Sequence, residues 1–124
     1  MHINNISQLK FDYKMNKKKI SVVLPCLNEE KTILHCINKA NNGIEKSNLN
    51  GEVVVADNGS TDSSIKISTD AGAKVVHIEN KGYGSALNGG IESALGDYII
   101  MGDSDSTYNF EDIPKFVEQL DKGY

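Results

Sequence analysis

In the stretch YIIMGDSDS, Asp103 and Asp105 stand two residues apart where an apolar run gives out. Residues i and i+2 of an extended chain point to the same side, so both carboxylates reach one place. Mg2+ and Mn2+ take oxygen ligands, and their sites use one or two carboxylates together with substrate phosphates. The spacing therefore suits a cation that holds a diphosphate and neutralises its charge as it leaves. Two further segments, VVLPCLNEE and VVVADNGSTD, also follow an apolar strand with polar and acidic residues. Ligands of open parallel sheets bind outside the carboxyl ends of the strands, so three such ends converging on one edge predict a nucleotide pocket.

Each loop carries a more local expectation. Pro25 is expected to end the first strand, since its ring removes an amide donor and keeps Leu24 extended. Asn28, Glu29 and Glu30 open the next helix, where carboxylates favour the helix dipole, and capping is as open to the two glutamates as ligand contact. In DNGSTD, Asn58 and Gly59 make a tight turn, and Ser60, Thr61 or Asp62 caps the helix that follows. Asp57, at the strand tip, is placed to accept hydrogen bonds from a ribose or a base imide. ENKGYGSALNGG has glycines near a helix start, but Leu87 stands where a dinucleotide fingerprint needs its third glycine. Gly82 and Gly84 therefore indicate close backbone approach or a helix-entry turn.

The elements that must position these loops alternate with a period of about thirty residues. Strands are expected at Ile20 to Leu24, Glu52 to Ala56, Lys74 to Ile78 and Asp97 to Met101, with the β-branched character of strands covered on both faces. The first helix puts Ile33, Cys36, Ile37, Ala40 and Ile44 on one stripe. The last is expected to start at Asn109 and to bury Ile113, Phe116, Val117 and Leu120. The result is an α/β fold of four βα units around a parallel sheet, in one domain over residues 19–124. Residues 1–18 read as an N-terminal tail, since the first nineteen residues hold five lysines and no apolar period.

Composition narrows the function. Of 124 residues 39% are hydrophobic and 24% charged, as in a folded soluble chain, and the net charge of −4 excludes a general nucleic-acid binder. No apolar run approaches the roughly 20 residues that span a bilayer, so a cytoplasmic protein is expected. Cys26 and Cys36 have no partners at metal-ligand spacing, and the three histidines are scattered. A nucleotidyltransferase would use a glycine-rich, basic loop after the first strand, and PCLNEE is neither.

PCLNEE, DNGSTD, NKGYGSA and GDSDS, in this order, resemble the nucleotide-sugar-binding half of a family 2 glycosyltransferase of the GT-A fold. Within that family the chain looks most like the polyprenyl-phosphate, or dolichyl-phosphate, hexose transferases. The resemblance implies a Rossmann-like, three-layer domain with strand order 3-2-1-4. It also implies a UDP- or GDP-linked sugar donor and Mg2+ or Mn2+. By the same resemblance Pro25, Asn28, Glu29, Asp57, Gly82, Gly84, Asp103 and Ser104 would contact the donor. Asp105, with Asp103, would bind the metal and act in catalysis. A polyprenyl phosphate acceptor would bring the protein to the cytoplasmic face of a membrane. Members of the family continue well beyond the fourth βα unit, so a C-terminally incomplete domain is expected. Such a domain would bind donor without transferring sugar, and its open sheet edge would pair with a second copy or an acceptor half.

Overall fold

The structure is a computed structural model, which describes residues 18–104 and 112–122. Four strands, β1 (Ile20–Cys26), β2 (Gly51–Asp57), β3 (Lys74–His77) and β4 (Tyr98–Met101), form one parallel sheet in the order β3-β2-β1-β4. Four helices alternate with them: α1 (Ile33–Lys46), α2 (Ser64–Asp70), α3 (Tyr83–Ser93) and α4 (Ile113–Asp121). The order is the one expected. It makes β1 the centre, with β2 in register from Ile20↔Gly51 to Cys26↔Asp57 and β4 from Ile20↔Tyr98 to Val23↔Met101.

The central strands β1 and β2 are largely buried on both sides because helices cover both faces, whereas the edge strands β3 and β4 are mostly half-buried. Val22 and Leu24 join Val53, Val55 and Ile100 in a buried cluster with Ile33 and Ile37 of α1 and Ile113 and Val117 of α4. All five residues expected on the α1 stripe are buried, Cys36 among them. Val23 and Ala56 point the other way, where α3 packs so closely that a Cβ on Gly90 would lie 2.5 Å from Val23 and 3.1 Å from Ala56. This glycine is required by proximity.

Two expectations need correction. Pro25 does not end β1; it is buried and pairs with Ala56. Val23 offers its carbonyl to the β4 side, accepting from Gly102 N–H. Pro25, two residues on, faces that side too, beyond the last β4 pair. Its missing amide therefore removes no ladder bond, and its carbonyl accepts the Ser104 hydroxyl at 2.7 Å. Phe116 is 40% exposed. It lies about 60° around the helix from Ile113, at the edge of the stripe, whereas Ile113 and Val117 face inward. The Asn109 cap lies outside the described residues, as does the N-terminal tail.

The end of the sheet remote from the acidic loops is closed by a polar network. The Glu52 carboxylate accepts from the Ser21 hydroxyl at 2.7 Å and the Leu95 N–H at 2.7 Å, and it pairs with Lys74 at 3.3 Å. Ser21 in turn accepts the Gly96 N–H, so the α3–β4 connection is tied to β1 and β2. Desolvation pushes the Glu52 carboxyl up, but Ser21, the Leu95 amide and Lys74 together outweigh it and hold the group below its ordinary range. A lowered carboxyl stabilises the fold above its unfolded pKa, about 4.3, and that contribution fades as pH falls through the folded value. Glu52→Gln is expected to cost about 1–2 kcal/mol at pH 7 and less at pH 3, measured by urea denaturation at both. An equal loss at both pH values would refute the charge-based account.

Candidate functional site

The carboxyl ends of β1, β2 and β4 and the start of α3 enclose a cleft of about 380 Å³. Pro25, Cys26, Leu27 and Glu29 line it from the β1 loop, Asn58 from the β2 turn, and Asp103 and Ser104 from the β4 loop. Lys81, Gly82, Tyr83 and Ala86 close it at the entry to α3. Strand order places this cleft where neighbours diverge, since β1 has β2 on one side and β4 on the other.

The β1 and β2 loops hold each other. Asn28 adopts a left-handed conformation, φ 53°, which asparagine tolerates. Its Oδ1 accepts from the N–H groups of Thr61 at 2.8 Å and Asp62 at 3.3 Å, while its own N–H donates to Ser60 Oγ at 2.9 Å. Glu30 N–H donates to Asp62 Oδ2, and Glu30 Oε2 accepts from Ser63 N–H. The carboxylate expected to cap α1 thus locks a neighbouring loop. Asp62 Oδ1 also accepts the Ser64 N–H in the first turn of α2. Desolvation pushes the Asp62 carboxyl up, but its bonds to Ser64 and to the Glu30 amide together outweigh it and hold it below its ordinary range.

Asp57 is 1% exposed and is not among the residues lining the cleft. Its Oδ2 accepts from Gly59 N–H at 3.0 Å and Ser60 N–H at 2.9 Å, and its Oδ1 accepts the Ser60 hydroxyl at 2.5 Å. Here the carboxylate shapes the turn. Asn58, which the sequence marks only as a turn residue, ties the β2 turn to the α3 entry: its amide donates to Ile78 and Asn80 carbonyls, and its Oδ1 accepts Gly82 N–H at 2.8 Å. Gly82 has φ +115°, a backbone that side-chain-bearing residues rarely adopt, and it is the N-cap of α3. Gly84 lies in the first turn of that helix with open space around it and does not line the cleft.

Glu29 is half-buried, and Thr32 Oγ1 lies 3.3 Å from its Oε2. Asp103 is also half-buried, with Oδ1 accepting the Tyr83 hydroxyl at 3.0 Å. Ser104 is buried and spent on structure, its hydroxyl on Pro25 and its carbonyl on Thr32 Oγ1 at 2.6 Å. Burial pushes the Cys26 thiol up, with the Ser64 hydroxyl opposing, so it offers the cleft a neutral floor. Asp105 lies outside the described residues. Among those described, no three His, Cys, Asp or Glu side chains converge as a metal cage. The Asp103 carboxylate nevertheless fits the kind of site in which phosphates supply the remaining ligands.

Sequence reasoning brought Pro25, Glu29, Gly82, Asp103 and Ser104 to one cleft, and it missed Lys81 and Tyr83. Lys81 Nζ would lie 2.9 Å from a Cβ on Gly59, so it reaches across the β2 turn. The signal is present in NKGYG, where Lys81 and Tyr83 flank Gly82.

A parallel α/β sheet with a cleft at its switch point defines a domain of the Rossmann-like class. The model of glycosyl transferase family 2 matches residues 21–124, and the chain belongs to that family. It is 45% identical over 104 residues to the low-salt glycan biosynthesis hexosyltransferase Agl6 of Haloferax volcanii, covering 84% of this chain and 25% of that protein. An undecaprenyl-phosphate 4-deoxy-4-formamido-L-arabinose transferase of Aeromonas hydrophila is 35% identical over 114 residues, which are 86% of this chain and 35% of that one. Among solved structures, glucosyl-3-phosphoglycerate synthase from Mycobacterium tuberculosis, in complex with Mn2+, UDP and glucosyl-3-phosphoglycerate, superposes with a TM-score of 0.73 at 32% identity. That match covers 97% of this chain and 45% of the synthase, so the GT-A fold is shared. The chain thus spans between a quarter and just under half of these proteins.

Proposed function

We propose that the cleft binds the nucleoside-diphosphate sugar donor of a hexosyl transfer. The observation that carries this reading is convergence: three strand-end loops and the start of α3 meet in one cleft that contains Asp103, Glu29 and Lys81. Glu29 and the backbone after Pro25 suit the base and ribose. The N-terminus of α3, with its positive dipole end, suits the diphosphate, and Lys81 adds a cation on the same side. Asp57 would meet the base only by exchanging a turn hydrogen bond for a ligand one.

Asp103 and Asp105 would hold a divalent cation, which when bound neutralises charge on the departing diphosphate. The likeness to the Mn2+ and UDP complex favours Mn2+ and UDP over Mg2+ and GDP. Asp103 would otherwise be free to take a ribose or sugar hydroxyl. The acceptor we propose is a polyprenyl phosphate, by similarity to the undecaprenyl-phosphate transferase. Such an acceptor places transfer at a membrane face, although no helix among the described residues is long and apolar enough to cross a bilayer. A phosphate acceptor scarcely needs a general base, because its oxygen is already anionic at neutral pH.

Calorimetric titration of the chain with UDP, GDP and their hexose conjugates, with Mn2+, Mg2+ or EDTA, tests the reading. UDP is expected to bind with Mn2+ and to lose most of its affinity in EDTA. Binding indifferent to chelation would remove the metal from the proposal, and no binding of any nucleotide by folded protein would remove the donor site.

A further inference from the structure

We propose that Tyr83 is a positioning residue for Asp103, a role that rests on the donor-site reading and adds a residue to it. The Tyr83 hydroxyl donates to Asp103 Oδ1 at 3.0 Å, joining the first residue of α3 to the loop after β4 across the cleft. Both ends of this bond stand on fixed backbone. Gly82 N–H is held by Asn58, and its positive φ sets the entry to α3. On the other side Gly102 N–H is held by Val23, and Ser104 is anchored through both its hydroxyl and its carbonyl.

Asp103 therefore has its main chain fixed on both sides, and the phenol selects its side-chain direction. Tyr83 itself is 61% exposed, so burial of its ring is a poor explanation for its orientation. An ionised carboxylate has about four acceptor positions, and the phenol takes one of them. The others remain for a cation or a sugar hydroxyl. Holding a half-buried carboxylate in its binding orientation removes a conformational cost that the ligand would otherwise meet, which is how preorganisation raises affinity.

The test is a double-mutant cycle on UDP binding in the presence of Mn2+, using wild type, Tyr83→Phe, Asp103→Asn and the double variant. Tyr83→Phe keeps the ring and removes only the hydroxyl, and it is expected to weaken binding roughly threefold to tenfold. In the Asp103→Asn background, followed by NMR at millimolar UDP, the same change is expected to have less than about a twofold effect. In ligand-free protein, the labelled Tyr83 ring signal is expected to shift on Asp103→Asn. An unchanged affinity in Tyr83→Phe, or an equal loss in both backgrounds, would overturn the positioning role while leaving the donor site intact. Absence of UDP binding by wild type, with the ring signal still coupled to Asp103, would overturn the donor-site reading and the positioning role with it.

Discussion

Asp103→Ala is expected to weaken Mn2+-dependent UDP binding by roughly 100-fold or more, with little change in thermal stability. The magnitude follows from position: loss even of an outer partner at a metal site costs 10- to 100-fold, and Asp103 is proposed to touch cation or donor directly. The stability expectation follows from exposure. Asp103 is half-buried, and among the described residues its side chain is bonded to Tyr83, itself a mostly exposed residue. Calorimetry and a melting curve on the same sample separate the two effects. Asp105→Ala is expected to match it in binding under the proposal that both carboxylates of DSD hold one cation. An Asp103→Ala affinity within threefold of wild type would remove this residue from the donor site.

Asp57→Ala should behave in the opposite way, losing about 2–4 kcal/mol of stability by urea denaturation. The side chain is buried, and its two oxygens satisfy the amides of Gly59 and Ser60 and the Ser60 hydroxyl. Truncation leaves those donors facing a space with no acceptor, and hydrogen bonds to a charged group are worth about 1.5–3 kcal/mol each. Asp57→Asn tests the geometry more finely, since it keeps one acceptor and turns a donor toward the others. A loss under about 0.5 kcal/mol for the alanine variant would mean that the turn does not depend on the carboxylate. The base-contact role for Asp57 would then regain ground. Together the two aspartates separate a residue that binds from a residue that shapes what binds.

Much of this was legible in the sequence. Runs of β-branched residues such as ISVVL and EVVVA could be buried only as central parallel strands, and the 3.6-residue stripe of α1 fixed which of its residues meet them. The ends of those strands were equally clear, because GDSDS, DNGSTD and PCLNEE change abruptly from apolar to acidic. Belonging to glycosyl transferase family 2 was foreshadowed by four motifs in order, each short and ambiguous alone.

What the sequence could not decide was which polar residues face the cleft and which face each other. Asn28, Asp57 and Ser104 carry the same side-chain chemistry as a ligand contact, yet their partners are backbone groups from loops up to 79 residues away or from their own turn. Pro25 illustrates the same limit. Whether a proline breaks a strand depends on which side its missing amide faces, and that side is set by how far β4 extends along β1. Side-chain identity and periodicity are local properties, and they determined the strands, the helices and the edge on which the chemistry collects. The pairing of hydrogen-bond donors with acceptors is a property of loops brought together by the sheet order, so only the tertiary structure could assign Tyr83 to Asp103 and Asp57 to its turn.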